Sequence, residues 1–281
     1  MREISAATIT KAIRDMCIEA NYGLAPDMRK VFEKAVEEEE SPLGRQVLEQ
    51  LKENLRIAGE DSIPICQDTG MAVVMLEIGQ DVHFVGGDLY EAIHQGVAQG
   101  YEKGYLRKSI VDDPLFDRVN TKNNTPATIH VSIVQGDKVA ITLAPKGFGS
   151  ENMSQIKMLK PSDGVEGVKD FVLKTVESAG ANACPPMVIG VGIGGNFETV
   201  ALSAKRAMLK PLDSHHQDQR YAALEQELLE AINQLGIGPA GFGGKTTALA
   251  LHIETLPTHI AGMPVAVAIC CHVARHKKVI I

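Results

Sequence analysis

Tryptophan is absent, and only seven phenylalanines and five tyrosines are spread over 281 residues, so platforms for stacking single-stranded nucleic-acid bases have little to be built from. Positive charge is also short. Against 35 Asp and Glu stand 28 Lys and Arg, a formal net charge of −7 that repels a phosphate backbone and argues against nucleic-acid binding. Small anionic substrates would therefore need locally placed cations. The five cysteines, Cys17, Cys66, Cys184, Cys270 and Cys271, are few, odd in number and widely spaced, a poor disulfide framework that suits a reducing compartment. No apolar run approaches the roughly 20 residues of a membrane span, and the N-terminal MREISAATITKAIRD lacks a signal-peptide core. A cytoplasmic protein that does not engage membranes is the expectation. What is present is an ordinary globular composition, 44% hydrophobic and 22% charged, on a chain long enough to bury a substantial core.

From Ser5 to about Glu60 apolar residues recur at intervals of three and four, as in Ile9, Ala12, Ile13, Met16 and Cys17, which predicts three amphipathic helices. Pro26 and Ser41-Pro42 fall between them, where proline opens a helix at no cost in internal hydrogen bonds. Beyond Ile63 the period changes. Ala72 to Ile78 reads as a strand and Asp88 to Tyr101 as a helix capped by Asp88. Thr128 to Val134 and Val139 to Leu143 are β-rich and separated by Gln135-Gly136-Asp137-Lys138, which predicts a hairpin. Helices follow at 167–179, 197–209 and 221–235, and strands at 187–191, 247–253 and 265–270. With no repeat and no long linker, one α+β domain over 1–281 with a helical subregion at 1–60 is expected.

Two glycine loops invite nucleotide readings that their context opposes. Gly190 to Gly195 satisfies G-x-G-x-x-G, yet no second strand carrying an acidic residue follows the next helix. Gly238 to Thr246 resembles a phosphate loop, but Pro239 occupies the position of its first glycine and donates no N–H. The favoured reading of the second loop is that its N–H groups face a carboxylate or a metal cluster, and the alternative is close-packed turns. Cysteines give the sharper signal. Cys66 precedes Gln-Asp-Thr-Gly, Cys184 precedes Pro-Pro, and Cys270-Cys271 ends an apolar strand, all at junctions of loops with regular elements. Cys17 lies on a helix stripe and reads as core.

Read together, Cys-Gln-Asp-Thr-Gly at 66–70, Lys-Gly-Phe-Gly-Ser-Glu-Asn at 146–152, Cys-Pro-Pro with Gly-Val-Gly-Ile-Gly-Gly at 184–195, Gly-Pro-Ala-Gly-Phe-Gly-Gly-Lys-Thr at 238–246 and Cys-His-Val-Ala-Arg-His at 271–276 occur in this order. The set resembles the α subunit of a two-subunit class I fumarate hydratase, or of the closely similar L-tartrate dehydratase, over essentially the whole chain. The resemblance implies an α+β fold in which a helical N-terminal part precedes a mixed α/β iron–sulfur hydro-lyase domain. It implies a [4Fe–4S] cluster held by Cys66, Cys184 and Cys271, with Cys270 as the buried neighbour in the doublet, and an iron left open to substrate. It also implies that Asp68 transfers a proton, that Gln67 orients a dicarboxylate, that Arg107 and the Gly149 N–H contact a carboxylate, and that His259 lies nearby. Lys146 and Lys245 would neutralise cluster or substrate, or else sit at the surface. Asp68 also fits an Asx turn before Thr69-Gly70, Arg107 a solvated charge, and His259 a partly buried structural histidine. In the family further substrate-binding groups come from a second polypeptide or domain, so a β subunit and an α2β2 assembly are expected.

Overall fold

The computed structural model describes residues 1–281, the side chain of Pro26 excepted. Three helices occupy the N-terminal region as the periodicity predicts: α1 (Ala6–Tyr22), α2 (Pro26–Glu38) and α3 (Pro42–Asp61), preceded by a short strand β1 (Arg2–Ser5). Ser5 caps α1 by accepting from the Thr8 N–H. None of the helices is long and apolar enough to cross a membrane, among the described residues.

The chain forms two compact units that interleave along the sequence: residues 1–25, 54–148 and 275–281 make the first, and 26–53 with 149–274 the second. The first unit is built on a four-stranded sheet in the order β10-β5-β2-β4, from β2 (Met71–Gly79), β4 (Thr128–Val134), β5 (Val139–Lys146) and β10 (Lys277–Ile280). Strand β3 (Val82–Val85) pairs in parallel with β1. Helices α1 and α4 (Leu89–Lys103) pack with the sheet around Ile9, Ile13, Val74, Leu76, Ile93, Val97 and Ile141. Asp88 caps α4 through the Glu91 N–H, as its sequence predicts. The two helices approach closely at Gly96, where a Cβ would lie 2.7 Å from the Ile13 Cβ and the Thr10 carbonyl.

The hairpin expected across 135–138 does not form. Strands β4 and β5 both pair with β2, the first parallel and the second antiparallel, so β2 lies between them. The connecting turn arches over the end of β2 and takes its bonds there: Gly79 N–H donates to Lys138 O, Gln80 N–H to Val134 O and Asp81 N–H to Gly136 O. A local turn signal was overridden by β2, whose Val74 and Leu76 need neighbours on both edges to leave water.

The second unit holds the sheet β6-β9-β7-β8, from β6 (Gln155–Leu159), β7 (Met187–Gly194), β8 (Ala248–Leu256) and β9 (Met263–Cys270). A short α5 (Phe148–Glu151) enters the unit, and α6 (Gly164–Ala179) and α8 (Gln219–Gln234) contribute Val172, Val176, Leu228 and Ile232 to a core with Ile189 and Val191 of β7. On the other face of β7 lies α7 (Phe197–Ala207), brought against the backbone itself: a Cβ at Gly190 would fall 2.0 Å from the Ala204 carbonyl. Gly190 and Gly192 are thus packing glycines inside a strand, their backbones paired with Ala268 and Ala266 of β9. That geometry removes the dinucleotide reading of the motif, because no free phosphate-binding loop precedes the helix.

Candidate active site

The loop Cys66–Gly70 precedes β2 in the first unit, with Cys66 and Asp68 half-buried and Gln67 exposed. The Asx turn anticipated for Asp68 is present, its Oδ1 accepting from the Gly70 N–H at 3.0 Å. It does not exhaust the residue. The other oxygen, Oδ2, accepts from the Phe148 N–H at 2.9 Å, and a Cβ at Gly147 would stand 3.0 Å from it. The carboxylate is thereby fixed against the Lys146–Phe148 segment.

The backbone beneath Asp68 is held with equal care. Arg275 Nη2 donates to the Asp68 carbonyl and Nε to Pro145 O, the Tyr101 hydroxyl reaches the carbonyls of Thr69 and Gly70, each at 2.8 Å, and Asn124 Nδ2 donates to Gly70 O at 3.1 Å. Burial pushes the Tyr101 hydroxyl far above the ordinary phenol range, so it remains a donor. Arg107 is brought alongside: its carbonyl accepts from the Thr69 hydroxyl at 3.0 Å while its side chain is exposed. Lys146 is only 3% exposed and its ammonium donates to Gly147 O, which settles its surface alternative against the surface. Lys245 instead makes an exposed pair with Glu40.

In the second unit, Cys184 adopts a left-handed conformation with φ 52°, rare for a residue bearing a Cβ. Its carbonyl meets both the backbone N–H of His272 at 3.2 Å and the His272 Nδ1 at 3.0 Å, so the segments bearing Cys184 and Cys271 run side by side. Cys184 is exposed and Cys271 half-buried, whereas Cys270 is buried in strand register with Val188. The Cys271 thiol is raised well above the ordinary thiol range by its hydrogen bond with Cys270 and then by burial. Gly149 is exposed beside Asn182, and His259 is exposed on a turn where its Nδ1 accepts from the Ala261 N–H.

Donor type and exposure fit a thiolate-held cluster: Cys66, Cys184 and Cys271 reach the surface of their loops, while Cys17 and Cys270 are buried and none of the five forms a disulfide. No group of three or more His, Cys, Asp or Glu side chains converges as a metal-holding set among the described residues.

The glycine loop 238–246 does face a carboxylate, and the carboxylate is the protein's own. Glu39, fully buried, accepts from the N–H groups of Lys245 at 2.9 Å, Thr246 at 2.7 Å and Ser41 at 2.9 Å. Gly244, at φ +120°, leaves the room this needs, since a Cβ there would lie 2.6 Å from Glu39 Oε1. Burial alone would raise the Glu39 pKa, but the Thr246 hydroxyl and the three N–H groups outweigh it and hold the carboxyl below the ordinary range.

Comparison with known proteins identifies the family. A Methanocaldococcus jannaschii protein provisionally named L(+)-tartrate dehydratase subunit alpha is 40% identical over 273 residues, 95% of each chain. The L(+)-tartrate dehydratase subunit alpha of Escherichia coli O157:H7 is 33% identical over 247 residues, 86% of this chain and 80% of that one. Its counterpart in E. coli strain UTI89 is 34% identical over 241 residues, 84% of this chain and 78% of that one. The chain is a hydro-lyase chain of the alpha-subunit type. It belongs to the fumarate hydratase (Fumerase) family, whose sequence model matches residues 10–280.

Proposed function

We propose that the chain is the α subunit of a two-subunit [4Fe–4S] hydro-lyase that reversibly hydrates fumarate to malate in the cytoplasm, completed by a β subunit in an α2β2 assembly. The observation that carries the reading is the Asp68 loop, a carboxylate fixed through both oxygens beside an exposed amide and a half-buried thiol. A cluster held by Cys66, Cys184 and Cys271 would supply a Lewis-acidic iron that makes hydroxide a better leaving group.

This chain's residues would do the rest. Asp68 takes a proton from the carbon beside the substrate carboxylate in one direction and returns it in the other; two fixed hydrogen bonds keep the carboxylate aimed. Gln67 orients the dicarboxylate, and Arg107 with the Gly149 N–H anchors a carboxylate whose negative charge grows as the proton leaves. Lys146 adds positive charge behind the loop, and His259 stands as a further candidate for proton transfer. The β subunit contributes the remaining dicarboxylate contacts.

A second reading, dehydration of L-tartrate to oxaloacetate, is favoured by the names of the relatives. Assaying the anaerobically reconstituted αβ complex with fumarate, malate and L-tartrate side by side decides between them. Turnover of fumarate and malate with little of L-tartrate is the expected result, the reverse preference selects the second reading, and no turnover of any of the three rejects both.

A further inference from the structure

Arg275 is only 5% exposed, and its Nη1 is buried with no hydrogen-bond acceptor among the described residues. Nor does a carboxylate pair with it. Both of its bonded nitrogens go to main-chain carbonyls, Nε to Pro145 O at 3.3 Å and Nη2 to Asp68 O. A buried guanidinium without a counter-ion costs stability, and an apolar residue of like volume would be cheaper there. The cost falls at one place, the peptide that carries the Asp68 side chain.

We infer that Arg275 is a positioning residue for Asp68, and that it acts with Tyr101 and Asn124 as a three-point clamp on consecutive carbonyls. The inference rests on the proton-transfer role proposed above for Asp68. Carbonyls 68, 69 and 70 are each gripped by a side chain from a distant part of the sequence: Arg275 on the first, Tyr101 on the second and third, Asn124 on the third. Pro145 lies three residues before Phe148, whose N–H holds the Asp68 carboxylate, so the guanidinium fork ties together the two segments that define the carboxylate's aim. A side chain that holds backbone rather than substrate should govern the chemical step more than substrate affinity, because a displacement of about 1 Å in a reacting group costs on the order of 100-fold in rate.

The test uses the full αβ complex carrying Arg275→Gln, Arg275→Lys or Tyr101→Phe. Expected for Arg275→Gln is a fall in kcat of about 100-fold with KM within about threefold of wild type. Arg275→Lys keeps the charge but not the fork and should recover only part of the loss. Tyr101→Phe, which keeps the buried ring, should lower kcat by about 3–10-fold in the same kcat-selective way. Hydrogen exchange gives a readout apart from turnover. In Arg275→Gln the Gly70 and Phe148 amides should exchange about tenfold faster, while the Lys245 and Thr246 amides that hold Glu39 stay as in wild type. Full activity in Arg275→Lys, a loss confined to KM, or unchanged exchange at Gly70 and Phe148 overturns the inference. If the Arg275 variants do not fold, unaltered kcat in Tyr101→Phe does so. A wild-type complex that turns over none of the three acids rejects the proposed function, and the exchange arm then still decides whether the clamp exists.

Discussion

Two carboxylates in this protein are held by the same device and differ in what is left open around them. Glu39 sits in the second unit with three N–H groups aimed at it and no exposed surface. Asp68 sits in the first unit with two N–H groups aimed at it and remains half-buried. Both lie against glycines that leave room for an oxygen. Completing the ring of donors and closing it from water makes a latch; leaving one side open leaves room for the substrate contact proposed for Asp68. A glycine loop with convergent N–H groups is therefore no sign of a ligand until its occupant is known.

The contrast breaks most visibly at Asp68. Asp68→Asn should lower kcat by roughly 1,000-fold while costing no more than about 1 kcal/mol of stability, measured by steady-state rates and urea unfolding of the same preparation. Glu39→Gln should do the opposite, costing about 2–3 kcal/mol in urea unfolding because an amide turns an NH2 toward donors that need an acceptor, with kcat little changed in the folded fraction. Gly147→Ala sharpens the comparison. Its Cβ would press on Asp68 Oδ2 from 3.0 Å, which should cut kcat about tenfold and leave the urea midpoint nearly unmoved. The smallest effect is in pH. Because the Glu39 pKa is lowered on folding, its stabilisation is present above the unfolded carboxylate value of about 4.5 and is lost as pH falls through the folded value. Acid titration of stability should accordingly show a shallower decline below about pH 4.5 in Glu39→Gln than in wild type.

Much of this was legible in the sequence where local chemistry decides structure. The three N-terminal helices, the Asp88 cap and strands at 72–78 and 187–191 follow from periodicity and capping residues, though the second strand runs on to Gly194 through glycines that read as a loop. The order of strands did not follow, since the turn at 135–138 accepts from the N–H groups of Gly79 and Asp81 at the end of β2 instead of closing a hairpin. The short strands β1, β3, β6 and β10 were missed for lack of a periodic run. The loop bearing Cys66 and Asp68 was found through its motif, but the clamp beneath it was not. Tyr101 lies on the apolar stripe of α4 and reads as core, Asn124 sits in the polar run Lys-Asn-Asn-Thr and reads as solvent, and Arg275 was visible only as part of a motif. Residues that act on carbonyls leave no spacing rule, because their partners lie 31 to 207 residues away. The loop at 238–246 reads as facing a carboxylate or a metal cluster; its occupant is the protein's own Glu39, 206 residues from Lys245, and nothing local pairs them.

The central claim is that three thiols, Cys66, Cys184 and Cys271, hold the cluster and that Cys270 does not. Iron and acid-labile sulfide counted after anaerobic reconstitution, in wild type and in four single Cys→Ser variants, test it directly. About four irons per chain are expected in wild type and in Cys270→Ser, and a loss of most of that iron is expected in Cys66→Ser, Cys184→Ser and Cys271→Ser. A colourless, iron-free wild-type chain, or a Cys271→Ser chain that keeps its full iron while Cys270→Ser loses it, would contradict the account.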